Sequence, residues 1–111
     1  MEIIELVRQL CREIQKDQRY INLEDCKRRW EQDESLQKLI CELNLKKLAL
    51  SQETSQKNVD KTKVETINED IKICYNKIIN NENMKNYSKA QEQMSKLIND
   101  ITAAVNESID I

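Results

Sequence analysis

The residue types that could do chemistry are few, and their spacing limits what each could do. Four cysteines, Cys11, Cys26, Cys41 and Cys74, stand 15, 15 and 33 positions apart in a chain of 111 residues. Structural zinc sites present paired ligands two to four residues apart, and no histidine is present to complete a set. Each thiol lies beside apolar helical positions, so the expectation is four reduced thiols packed as small hydrophobes. A thiol-based redox or metal sensor is the more distant reading. The run Lys27-Arg28-Arg29-Trp30 is the densest basic patch, and its chemistry would be phosphate contact with an indole stacked on a base. Glu24, Asp25, Glu31 and Asp33 surround it and dilute its field, so a solvated face with Trp30 turned inward is the competing reading. Glu65, Glu69 and Asp70 could be imagined as an acid/base set, but Lys61, Lys63 and Lys72 share their helix and explain them as surface ion pairs.

Composition closes off further classes. The sequence holds no Gly, Pro, His or Phe. Without glycine there is no phosphate-binding loop, dinucleotide turn or nucleophile elbow, and without histidine there is no Ser-His-Asp or Cys-His machinery. The expectation is therefore a protein without catalytic residues, without a metal and without a cofactor. Charges nearly balance, 18 Lys+Arg against 20 Asp+Glu for a formal net charge of −2, which gives no global pull toward nucleic acid or acidic membrane. Charged residues make up 34% of the chain and the mean hydropathy is −0.76, as suits amphipathic helices with wide solvated faces. No apolar run approaches a membrane span, and Met1-Glu2-Ile3-Ile4-Glu5 has neither the basic nor the apolar part of a leader. A cytoplasmic protein that does not engage membrane is expected.

The elements that must position these residues are helical nearly throughout. Ile3, Val7, Leu10 and Ile14 step by 4, 3 and 4 along a first helix, which breaks at Asp17-Gln18. A short second helix carries Tyr20, Leu23, Cys26 and Trp30 on its apolar side. Asp33 is an N-cap for a third helix running from Glu34 into the region 51–56, with Leu36, Leu39, Ile40, Leu43, Leu48 and Leu50. Residues 51–60 form the best loop candidate. Asp60 or Thr62 caps a fourth helix, where Val64, Ile67, Ile71, Cys74 and Ile78 repeat 3-4-3-4 as a heptad seam. Asn80-Asn81-Glu82-Asn83 makes a turn, and the last helix runs from about Met84 to Ser108.

The fold class that results is all-α: an elongated antiparallel bundle of about five helices with a long C-terminal helix, over a single domain 1–111. A last helix of roughly 25 residues is about 37 Å long. Helices of that length leave apolar seam uncovered in so short a chain, so a homodimer or higher homo-oligomer is expected. The candidate interface is Met84, Tyr87, Met94, Ile98, Ile101 and Val105, because Met and Tyr suit adaptable contacts. Lys27, Arg28 and Arg29 are the candidate nucleic-acid contact of the alternative reading, a nucleic-acid-binding module.

Three stretches carry a likeness to a known family. They are Ile3-Ile4-Glu5-Leu6-Val7 through Asp17-Gln18-Arg19-Tyr20, then Trp30-Glu31-Gln32-Asp33-Glu34 into Leu36, Leu39 and Ile40. The third is Ile78-Ile79-Asn80-Asn81 through Tyr87 into Ala90, Met94, Leu97, Ile98 and Ile101. In these the chain resembles the YlbF/YmcA family of low-GC Gram-positive bacteria, in particular its short YheA-like members. The resemblance implies an all-helical, self-associating cytosolic regulator without catalysis and with family-related protein partners. Longer relatives support competence, sporulation and biofilm formation, with a link to messenger RNA processing through ribonuclease Y. They also carry C-terminal cysteines associated with iron–sulfur clusters. This chain has no cysteine after Cys74, so that ligand set does not carry over, and Glu34 replaces the usual proline after Asp33.

Overall fold

A computed structural model describes residues 2–110. Among these there are five helices and no strands: α1 (Ile3–Lys16), α2 (Gln18–Gln32), α3 (Glu34–Thr54), α4 (Lys61–Ile79) and α5 (Glu82–Ile109). A chain without Gly or Pro has no interior helix breaker, so helices end where short polar side chains compete for the backbone. Asp33 caps α3 by accepting from the Leu36 N–H at 3.0 Å. Asp60 caps α4 by accepting from the N–H groups of Thr62 and Lys63 at 3.1 and 3.2 Å.

α3 ends at Thr54, inside the region 51–56 where its end was expected, which leaves 55–60 as the loop. The Thr54 hydroxyl donates to the Leu50 carbonyl at 3.0 Å and the Ser55 hydroxyl to the Ser51 carbonyl at 2.7 Å, which satisfies the last carbonyls of α3. α5 begins at Glu82 rather than Met84, because Asn81 Oδ1 accepts from the Met84 N–H at 3.0 Å and so caps the helix ahead of Asn83.

The chain divides into two compact units, one running from Trp30 to Lys85 and the other taking the residues up to Arg29 and from Asn86 on. In the Trp30–Lys85 unit α3 packs on α4 as a hairpin. Leu36, Leu43, Cys74 and Ile78 form its core, with Trp30, Leu39, Ile40, Ile71 and Met84 packed around them. The α4 seam is the face expected: Cys74 and Ile78 are buried, while Val64, Ile67 and Ile71 are half-buried. Glu53 ties down the loop end of the hairpin. Its carboxylate is buried, accepts from the Asp60 N–H at 3.3 Å and pairs with Lys63 Nζ at 3.5 Å.

The other unit holds α1, most of α2 and most of α5. Among the described residues Ala90 is its one buried side chain. Leu23, Cys26, Met94, Leu97 and Ile101 are half-buried there.

Candidate functional site

Two constellations are built tightly enough to place side chains. The first lies in the Trp30–Lys85 unit, where the starts of α3 and α5 meet. Asp33 Oδ1 caps α3, and Asp33 Oδ2 accepts from the side-chain amides of Asn81 and Asn83 at 3.1 and 2.9 Å. These donors stabilise the charged carboxylate and hold the Asp33 pKa below its ordinary value, the Leu36 N–H contributing most. Beside it, Gln37 Nε2 donates to the Trp30 carbonyl at 2.7 Å, and Trp30 Nε1 donates to the Met84 sulfur at 3.3 Å. These hydrogen bonds tie the start of α3 to the start of α5, so the cluster is a clasp that fixes helix ends.

The second constellation is the joint between α1 and α2. A single residue, Asp17, separates the two helices. Its carboxylate receives the Arg19 guanidinium in bidentate fashion, Nε to Oδ1 and Nη2 to Oδ2 at 2.8 Å each, and also accepts from the Arg19 N–H at 2.8 Å. The Arg19 side chain, then its backbone N–H, pull the Asp17 pKa down to about 2. The same pairing, joined by Asp100, raises that of Arg19.

What the joint positions is α1, whose apolar stripe is exposed from Ile3 to Leu10 and half-buried at Ile14. Ile3 is 75% exposed, Leu6 50%, Val7 49% and Leu10 42%, and the helix buries no residue. Glu5 pairs with both Arg8 and Arg12 on the opposite face, and Glu13 pairs with Lys16. Helical spacing places Ile3, Val7, Leu10 and Ile14 on one face, and that spacing does not say what covers the face. The missed signal is the connector: one residue between two helices is too short for them to fold back on each other.

The candidate interface residues fall in both units. Met84 is half-buried and engaged by Trp30 in the Trp30–Lys85 unit. The other five lie on α5 in the second unit, where Tyr87, Met94 and Ile101 are half-buried and Ile98 and Val105 are exposed. Met94 and Ile98, together with Leu23 of α2, line an open groove of about 350 Å³ whose remaining walls are the uncharged Gln91, Ser95 and Asn99. Lys27, Arg28 and Arg29 are exposed on α2. Asp25 takes both guanidiniums, pairing with Arg28 Nη2 and, at 3.2 Å, with Arg29 Nε. Two of the three cations are thereby turned toward an anion on their own helix, which weakens the field offered to a phosphate.

The expectation for the thiols needs correction. Cys74 is buried and donates to the Leu39 carbonyl at 3.3 Å, and Cys26 is half-buried, but Cys11 and Cys41 are exposed. Each of these two follows an apolar residue, Leu10 or Ile40, and one step turns a helix by about 100°. That rotation carries Cys41 off the stripe facing α4, where it joins Leu45 and Leu48 on an exposed apolar strip. Cys11 sits on a helix that buries nothing. Among the described residues no three His, Cys, Asp or Glu side chains are grouped to hold a metal ion. No helix among them is long and apolar enough to cross a membrane.

Residues 3–110 match the family described as control of competence regulator ComK, YlbF/YmcA. The chain belongs to the YlbF/YmcA family. The match runs through all five helices, so the likeness carried by the three sequence stretches extends along nearly the whole chain. The family's description is that of a regulator, and a regulatory role is the coarse function it supports for this member. No curated protein and no solved structure shows a significant match to the chain.

Proposed function

We propose that this YlbF/YmcA member is a non-catalytic cytoplasmic adaptor in competence control, acting through helix–helix contacts as a homodimer or higher homo-oligomer, with residues 1–111 working as one domain. The observation that carries this reading is α1: an amphipathic helix whose aliphatic stripe from Ile3 to Leu10 lies in solvent. Contiguous apolar surface of this kind marks a protein-binding face, since monomeric soluble proteins keep such patches small. Family membership supplies the regulatory context. The uncharged apolar groove on α2 and α5 adds a second surface of the same character. The pairing of Asp25 with Arg28 and Arg29 favours this reading over nucleic-acid binding.

Size-exclusion chromatography with light scattering tests self-association. The expected mass is a multiple of 13.2 kDa across the micromolar range, and a monomer throughout that range would overturn it. Affinity capture from the native host followed by mass spectrometry tests the adaptor role. The expected catch is a reproducible set of regulatory proteins that Leu6→Glu releases; a catch unchanged by that substitution removes α1 from the contact.

A further inference from the structure

We infer that Met84 is a reversible oxidation site for hydroperoxides: Trp30 leaves one lone pair of its sulfur open, a single sulfoxide epimer forms there, and the Trp30 contact is lost. Trp30 Nε1 donates to the Met84 sulfur at 3.3 Å. A thioether sulfur carries two lone pairs, and oxidation through one or the other gives opposite epimers. The indole N–H occupies one of the two. Both partners are also held by their backbones, since Gln37 Nε2 donates to the Trp30 carbonyl at 2.7 Å and the Met84 N–H donates to Asn81 Oδ1 at 3.0 Å. The covered lone pair therefore stays covered. Met84 is only half-buried, so a small oxidant reaches the other.

The step needs nothing but the oxidant. The open lone pair attacks one peroxide oxygen, the O–O bond breaks, an S–O bond forms, and the proton passes to the departing oxygen. Sulfur gives up two electrons, and the hydroperoxide is reduced to water or an alcohol. The sulfur of a sulfoxide is positively polarised and no longer accepts, so the indole N–H must leave it or follow the new oxygen. Trp30 and Met84 both pack on the core of Leu36, Leu43, Cys74 and Ile78, where a polar group in place of a thioether disturbs apolar packing. Met84 also follows Asn81 and Asn83, whose amides hold Asp33 at the head of α3, so the loosening reaches the clasp. Reduction of the sulfoxide restores the thioether. Met94, the other methionine among the described residues, lines the open groove and has no part in the clasp.

Hydrogen peroxide is the probe, and the two classes of methionine sulfoxide reductase read the product, because each reduces one epimer. The folded protein is oxidised and digested, and the Met84 peptide is divided between the two enzymes. One class alone should restore Met84, whereas protein oxidised in urea should be restored about equally by both. Equal restoration after oxidation in the folded state overturns the inference, as does a Met84 left unoxidised while Met94 is converted. Trp30→Phe frees the second lone pair and should yield both epimers; a single epimer from that variant would remove the indole as the cause. Should Trp30→Phe fail to fold, the folded and urea-treated wild type still give the stereochemical answer. Trp30 is the one tryptophan of the chain, so its fluorescence reports the contact. Oxidation should shift the emission and lower the thermal midpoint, the matching reductase should reverse both changes, and Met84→Leu should show neither. An equal response in Met84→Leu would assign the change to the thiols or Met94 and overturn the inference, as would an unchanged wild type after full conversion of Met84.

Discussion

The two units are made from the same material and end in different states. In the Trp30–Lys85 unit α3 and α4 are joined by residues 55–60, and their stripes close on each other around Leu36, Leu43, Cys74 and Ile78. In the other unit α1 and α2 are joined by Asp17 alone, and the stripe of α1 stays exposed from Ile3 to Leu10. Amphipathicity is equal to the task in both. Connector length decides whether a stripe finds its cover in the same chain, since helix–helix connections in bundles span about two to eight residues. A stripe denied that cover becomes surface for another molecule.

Truncating one leucine in each unit is the sharpest way to break this contrast. Leu36 is fully buried, so Leu36→Ala should cost about 2–5 kcal/mol through lost contacts and the cavity left behind. Leu10 is 42% exposed, so Leu10→Ala should change the stability of the isolated chain by no more than about 0.5 kcal/mol. Urea unfolding followed by far-UV circular dichroism at two protein concentrations separates them. Leu36→Ala should lower the midpoint at both concentrations, whereas Leu10→Ala should chiefly reduce the concentration dependence. Equal losses from the two variants at low concentration would mean that α1 has a cover inside its own chain.

The clasp at Asp33 comes next in size. Asp33→Ala removes the cap of α3 and leaves the amides of Asn81 and Asn83 without that acceptor, which should lower the midpoint of a thermal melt. Asp33→Asn keeps an acceptor for the Leu36 N–H and should cost less. The pKa of Asp33 is depressed in the folded protein, so its contribution is full above the ordinary carboxylate value near 3.9 and is lost as pH falls through the lower folded value. Wild-type stability should therefore fall with acid more steeply than that of Asp33→Asn.

These two comparisons also mark what the residues disclose unaided. Asp33 and Asp60 were recognisable as caps because a cap is a local event, decided within three residues. The seam from Val64 to Ile78 was recognisable because both its period and its cover are regular. The clasp was half visible. Asp33 and the Asn80–Asn83 cluster were each expected to cap, but their hydrogen bonds span 48 and 50 positions and follow only from the hairpin between them. Periodicity marked the face of α1 correctly and said nothing of what covers it. The same gap explains the thiols: adjacency to Leu10 and Ile40 says nothing of a further turn of about 100°. Met94 and Ile98 are candidate interface residues by sequence and Leu23 lies on the apolar side of α2, but that the three line one groove follows only from the packing of α2 and α5.

Within the packed unit, Glu53 offers a smaller test of how the hairpin is closed. A buried carboxylate that accepts from the Asp60 N–H fixes the loop, and its partner Lys63 is 63% exposed. Glu53→Ala should cost about 1–2 kcal/mol, because it leaves the Asp60 N–H without that acceptor. Lys63→Ala should cost no more than about 1 kcal/mol, as exposed ion pairs do. The order of the two melting shifts is the result that matters. If Lys63→Ala cost as much as Glu53→Ala, the ion pair rather than the backbone contact would close the hairpin.

The joint at Asp17 should give the smallest effect on stability and the most specific spectroscopic one. Its carboxylate is accessible to solvent, so the Arg19 contact orients α1 more than it stabilises the fold. The folded pKa of about 2 lies below the ordinary carboxylate value, so the contact is complete above pH 4 and is lost as pH falls through about 2. Arg19 stays charged throughout, since its own pKa is raised. The Arg19 amide and guanidinium resonances should titrate together with a midpoint near 2, and Asp17→Asn should abolish that titration while α1 keeps its helical signal. A midpoint near 4 would mean that the bidentate contact is not held in solution. In that case α1 is free to swing about its one-residue connector. The contrast between the units would then rest on connector length alone, without the clamp that directs the stripe outward.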